Sequence, residues 1–157
     1  MTQSALQEVL AQEQHLQLLH FNNQTAWQLG CALKQAVEDL AAAVSIEVYA
    51  FEQVLFSYAM PGTSKDNLEW IRRKRQAVMR FGHSSYYLGL YNAAQQRDFE
   101  AQAHIDAREY CAHGGSFPLR LQGCGQIGAV TVSGLPQESD HNLVVAALTQ
   151  ILAEQQG

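Results

Sequence analysis

The run His113-Gly-Gly-Ser-Phe-Pro-Leu-Arg-Leu-Gln-Gly-Cys-Gly-Gln-Ile-Gly-Ala-Val-Thr-Val-Ser-Gly-Leu-Pro136 decides the fold. Ser116–Leu121 and Gln126–Ser133 carry Val, Leu, Phe and Thr, residues that pack well on a pleated surface, and read as two strands. Gln122-Gly123-Cys124-Gly125 joins them with residues that accept turn conformations. The same glycines spell G-x-G-x-x-G from Gly123 to Gly128. In a dinucleotide site such glycines lie between a strand and a helix N-terminus, where backbone amides meet the pyrophosphate. Here they lead into Ala129-Val-Thr-Val132, a β-rich run, so the pattern is a hairpin turn and not a nucleotide site.

Working outward, Ser45–Phe51 and Val54–Ala59 alternate as strands, with only Glu52-Gln53 between them, which predicts a tight antiparallel hairpin ended by Pro61-Gly62. His15–Phe21 reads as extended. Helical spacing covers Ser4 to about Gln14, Asn22 or Asn23 to about Leu40, Asp66 to about Phe81, Ser84 or Ser85 to about Gln96, and Pro136–Gln155. Asp106 with Glu109 reads as the capping box of a short helix ending at Gly114. Strand pairs on short turns, with helices interspersed, give an α/β (α+β) domain whose antiparallel sheet is flanked by helices. No repeat or linker divides the chain, so residues 1–157 form one domain.

Composition agrees with a globular protein: 157 residues, 47% apolar and 16% charged. Ten Lys and Arg against 15 Asp and Glu give a net charge of −5, which argues against a nucleic-acid binder. Cys31, Cys111 and Cys124 are an odd set without framework spacing and read as reduced thiols. The N-terminus lacks a basic region followed by an apolar one, and no apolar run approaches the ~20 residues that span a bilayer. The expectation is a cytoplasmic protein with no membrane partner.

No catalytic set is assigned. His104, Cys111 and His113, with Glu100 nearby, lack the paired spacing of a zinc site, so no metal is expected. Ser133-Gly134 lacks the flanks of a nucleophile elbow. Arg72-Arg73-Lys74-Arg75 is more informative. Successive residues step ~100° around a helix, so the four cannot share one face. Arg75 falls in the middle of the arc of Leu68, Ile71, Val78 and Met79, while Arg73 and Arg80 point away. A guanidinium there must meet a carboxylate, reach a cavity or bind an anion. The sequence leaves these open.

Asp66-Asn67, Trp70, the Arg72–Arg75 run, His113-Gly114-Gly115-Ser116-Phe117-Pro118 and Gly128 through Val132-Ser133-Gly134-Leu135-Pro136-Gln137 with Asp140-His141 together resemble an uncharacterised (UPF) family of bacterial and fungal proteins. That family is similar to the GlcG and HbpS-like, "haem-degrading domain" proteins, and the resemblance covers residues 15–155. It implies a profilin-like sandwich with about five strands, assembly into a homo-oligomer, and haem as a possible cofactor, with no axial ligand transferred.

The resulting expectation is a self-associating domain that binds a small anionic ligand through Arg75 and Arg72, with His113 and the backbone of Gly114 and Gly115 nearby. Two other readings stand beside it. One is an enzyme acting on haem or a small organic acid, with His83, His113 or His141 as acid–base groups. The other is an interaction module whose basic helix meets an acidic partner.

Overall fold

A computed structural model describes residues 2–157. Its elements run α1 (Thr2–His15), β1 (Gln17–Leu18), α2 (Asn23–Glu38), β2 (Ser45–Ala50), β3 (Gln53–Ala59), α3 (Lys65–Phe81), α4 (Ser85–Ala94), a 3₁₀ turn (Phe99–Ala101), β4 (Ser116–Leu121), β5 (Gly125–Ser133) and α5 (Gln137–Gln156). The strands form one sheet in the order β1-β4-β5-β2-β3, so the glycine-rich segment supplies its central strand, β5, and the neighbouring β4. Pairings among β4, β5, β2 and β3 are antiparallel. The fourth pairing is not: β1, two residues within the segment expected to be extended, runs parallel to β4 with Gln17 opposite Arg120.

The glycines of the G-x-G-x-x-G pattern serve the sheet. Gly123 and Gly125 take φ of 76° and 108° in the β4–β5 turn, a region that L side chains avoid. The β2–β3 turn falls on Phe51-Glu52, one residue earlier than expected, with φ of 55° and 66°. Positive φ at both positions matches the twist of a two-residue hairpin, although glycine or asparagine usually supplies it.

Side-chain alternation gives the sheet two different faces. On one, Ile46, Val48, Phe117, Leu119, Val130 and Val132 pack with Leu29, Leu33 and Val37 of α2 and Val144, Leu148 and Ile151 of α5 as the main core. The other carries Ser45, Glu47, Ser116, Thr131 and Ser133, all buried, and α3 crosses it. A second, smaller core of Ala77, Leu88, Phe99, Ile105 and Ala112 lies between α3, α4 and the chain leading to β4.

The helix expected from Asp106 does not form. The Glu109 and Tyr110 amides both return to the Asp106 carbonyl, closing a single turn. The Glu109 carboxylate, which a capping box would turn back on the Asp106 amide, instead accepts from Arg72 Nη1 at 2.6 Å and Gln76 Nε2 at 3.1 Å. No described helix is long and apolar enough to cross a membrane.

Candidate functional site

The buried stripe of α3 is Ile71, Lys74, Ala77 and Val78. Leu68 and Met79, which centred the expected arc on Arg75, are 39% and 38% exposed. The helix is therefore rotated so that Lys74 is the inward cation. Lys74 Nζ donates to the Val132 carbonyl at 3.1 Å and to Asp140 Oδ2 at 3.2 Å, with both side chains almost fully enclosed. Asp140 Oδ1 also accepts from the Leu135 amide at 3.0 Å and Oδ2 from the Gly134 amide at 3.4 Å. Burial lowers the Lys74 pKa and raises that of Asp140, each opposed by the partner's charge.

Gly115 is shaped by this pair. Its φ is 136°, and a Cβ there would lie 2.6 Å from Lys74 Nζ. Only glycine accepts both the backbone angle and the approach of the ammonium.

Above the pair, between the start of α3 and the start of α5, is a recess of ≈ 260 Å³ whose walls include Asn67, Trp70, Lys74, His113, Ser133 and Gln137. A larger cleft of ≈ 550 Å³ adjoins it along α4, bounded by Tyr86, Leu90, Arg97, Phe99 and Glu100. His113 and Gln137 line both spaces and mark their boundary. The exposed His113 ring packs on Trp70 with centroids 5.2 Å apart. Gln137 Oε1 accepts from the Gly114 amide at 2.9 Å. Asn67 Oδ1 accepts from the Ser64 amide at 3.0 Å, closing the α3 capping box, while Nδ2 reaches the Ser133 carbonyl at 3.4 Å.

Of the residues expected to form a site, His113, Gly114 and Gly115 lie together here, and Arg72 and Arg75 do not. Arg75 Nε donates to Glu47 Oε1 at 2.7 Å, and its guanidinium lies 4.4 Å from the Tyr49 ring centroid. This is the carboxylate solution among those left open. Arg72 bridges Glu109 and Glu69 at 2.6 and 3.1 Å. His83 pairs with buried Glu13 at 2.7 Å, where α1 meets the start of α4. His141 is enclosed between the rings of Tyr86 and Phe117, with Nε2 2.8 Å from Gln12 Oε1. Burial lowers its pKa to about 4, so it is neutral at pH 7. Among these three histidines, only His113 faces a cleft. No group of three His, Cys, Asp or Glu among the described residues could hold a metal.

Lys74, Asn67, Trp70, Gln137 and Asp140 complete the recess. The run Arg72–Arg75 contains the decisive lysine, but helical spacing counted from Leu68 and Met79 selected its neighbour.

A five-stranded sheet with helices on both faces, and a polar recess where α3 and α5 begin, defines a small α/β domain. The chain belongs to the family described as "Haem degrading protein HbpS-like", whose model matches residues 21–149. It is 62% identical over 148 residues to a UPF0303 protein of Psychromonas ingrahamii, covering 94% of this chain and 93% of that protein. The crystal structure of Ybr137w superposes with a TM-score of 0.89 at 30% identity, covering 97% of this chain and 90% of that one. A PduOC:heme complex, 18% identical, shares the fold at a TM-score of 0.69, covering 84% of this chain and 94% of that chain.

Proposed function

We propose that this protein binds a small carboxylate-bearing molecule, its carboxylate in the recess beside Lys74 and its body in the cleft beyond His113. The observation that carries this is an imbalance of donors. Both Asp140 oxygens are already engaged by Lys74 and two backbone amides. Lys74 has three N–H groups and uses two of them within the protein. Gln137 Nε2 and both ring nitrogens of His113 have no hydrogen-bond partner among the described residues. A carboxylate is the small group that satisfies several converging donors, one of them charged. Asp66 stands at the rim, in the first turn of α3, where the helix dipole offsets its charge. Arg72 and Arg75 are left out of this reading because each already sits on a carboxylate.

Haem is the particular ligand with support from a neighbour, since PduOC is crystallised with heme. It carries carboxylates on a planar body, and the exposed, unpartnered His113 imidazole fits an iron ligand. Haem, when bound, supplies a redox-active iron; His113 and the recess would hold and orient it. Self-association and a cytoplasmic location belong to the same reading, the latter supported by three free cysteines.

Thermal unfolding against a panel of small carboxylates, their amides and haemin tests the proposal. Binding at 100 times Kd should stabilise the native state by about 2.7 kcal/mol, a rise of roughly 8 °C for a domain of this size. His113→Ala should abolish the haemin response, read as loss of the Soret change, while leaving the unliganded protein folded. No stabilisation by any carboxylate or by haemin would overturn the reading.

A further inference from the structure

β3 is the outer strand of the sheet, and its far edge has no partner strand among the described residues. Its sequence, Gln53-Val-Leu-Phe-Ser-Tyr-Ala59, contains no charge and no proline, the usual guards of an exposed edge. Val54 is 46% exposed and Tyr58 36%. Above this edge α2 sets Trp27, Cys31 and Lys34, spaced i, i+4, i+7 on one face. Together with Leu55, Phe56 and Tyr58 they bound a mostly apolar groove of ≈ 650 Å³. Trp27 packs its ring edge-on against Phe56 at 5.5 Å yet is still 58% exposed. A contiguous apolar surface of this kind marks a contact site.

We propose that the groove seats a second copy of this chain, the two β3 strands pairing antiparallel about a twofold axis near Phe56 to make one ten-stranded sheet. The inference deepens the self-association in the functional reading and names its interface. A second copy fits for three reasons. First, α2 packs over both β2 and β3. With strands ~4.8 Å apart, an antiparallel β3 pair would set the two α2 axes about 10 Å apart, within the range of packed helices. An isolated added strand would satisfy the edge but leave Trp27 uncovered. Second, the axis is the same for helix and strand. Phe56 is the middle residue of β3 and lies against Gly30, next to Cys31 at the middle of the α2 stripe. Third, antiparallel α2 helices centred there set Trp27 opposite Lys34 of the second copy, an ammonium against an indole face. Such an isologous contact closes on itself and does not propagate into a fibre.

Light scattering after size exclusion, with cysteine cross-linking, tests this. The protein should run at an even multiple of its chain mass. Trp27→Glu, and separately Tyr58→Lys, should halve that mass with an unchanged circular dichroism spectrum. In a Cys124→Ser background a short bismaleimide should link two chains through Cys31, because Cys111 is buried, and Cys31→Ser should remove the link. A monomer at all concentrations would overturn both the interface and self-association. An oligomer whose mass survives both variants and gives no Cys31 link would overturn this interface alone. If Trp27→Glu fails to fold, Tyr58→Lys and the cross-link decide.

Discussion

The Lys74–Asp140 pair gives the sharpest test of the structure, because removing one partner should cost more than removing both. Asp140→Asn keeps the size of the side chain and an oxygen for the Leu135 amide. It strands the Lys74 ammonium, 3% exposed, with only the Val132 carbonyl. Breaking a buried pair in this way costs about 3–5 kcal/mol. At 157 residues each kcal/mol corresponds to roughly 3 °C, so Tm should fall by about 9–15 °C. The double variant Lys74→Met/Asp140→Leu removes both charges and fills the space with apolar atoms. It should recover part of the loss, because the desolvation of two ions disappears with their attraction while the Leu135 and Gly134 amides and the Val132 carbonyl lose these partners. Urea unfolding of the single and double variants measures both quantities. A loss below about 1 kcal/mol for Asp140→Asn would refute the buried ion pair. The double variant should also lose carboxylate binding, which separates the stabilising role of Lys74 from its place in the recess.

Two further predictions concern residues first considered for the site. Arg75→Ala should destabilise by about 2 kcal/mol, since it leaves mostly buried Glu47 without its partner; Arg73→Ala, whose guanidinium lies over the Trp70 ring 4.3 Å from its centroid, should cost about 0.5–1 kcal/mol. Neither should change carboxylate binding, and equal losses in urea unfolding would contradict the placement of Arg75. His141 binds its proton only below about pH 4 in the folded protein against 6.5 for the free side chain, so between these values the unfolded chain holds more protons and stability falls as pH drops. The His141 contribution to that fall is about 3 kcal/mol, and His141→Gln should flatten the slope of ΔG against pH across this window. Identical slopes for wild type and variant would show that His141 is not held neutral.

The sheet and its order of helices were legible because they rest on periodicity and turn chemistry. Val130 and Val132 alternate with Thr131 and Ser133, and Gly123 and Gly125 punctuate the turn between β4 and β5. What the chain does not spell locally was harder to read. The two positive φ values of the β2–β3 turn fall on Phe51 and Glu52, residues that carry no turn signal. The parallel pairing of β1 depends on an edge of β4 more than a hundred positions away, reinforced by the Gln122 amide donating to the Leu18 carbonyl. Of the five residues expected to form a site, His113 lines the recess, Gly114 donates to Gln137 on its wall and Gly115 abuts Lys74. The cation was displaced by one residue, because Leu68 and Met79 look like core residues in a helical wheel and are in fact at the surface.

That one-residue displacement follows from the sheet. Ile46, Val48, Val130 and Val132 all point to the α2–α5 core, so strand alternation assigns Ser45, Glu47, Thr131 and Ser133 to the face beneath α3. A purely apolar helix laid on that face would bury a carboxylate and several hydroxyls without partners. The face satisfies part of its own need, as Ser116 Oγ and Thr131 Oγ1 lie 2.8 Å apart. More comes from α3 at positions i, i+7 and i+8: Asn67 on Ser133, Lys74 on the Val132 carbonyl, and Arg75 on Glu47, while the buried Ser45 Oγ has no partner among the described residues. Lys74 needs Gly115 to make room for its head. Where α3 begins, Trp70, Asn67 and Gln137 surround the recess without filling it. The polar contacts that dock α3 also border the recess, so under the proposed function the stability of the fold and the capacity to bind a carboxylate share one origin.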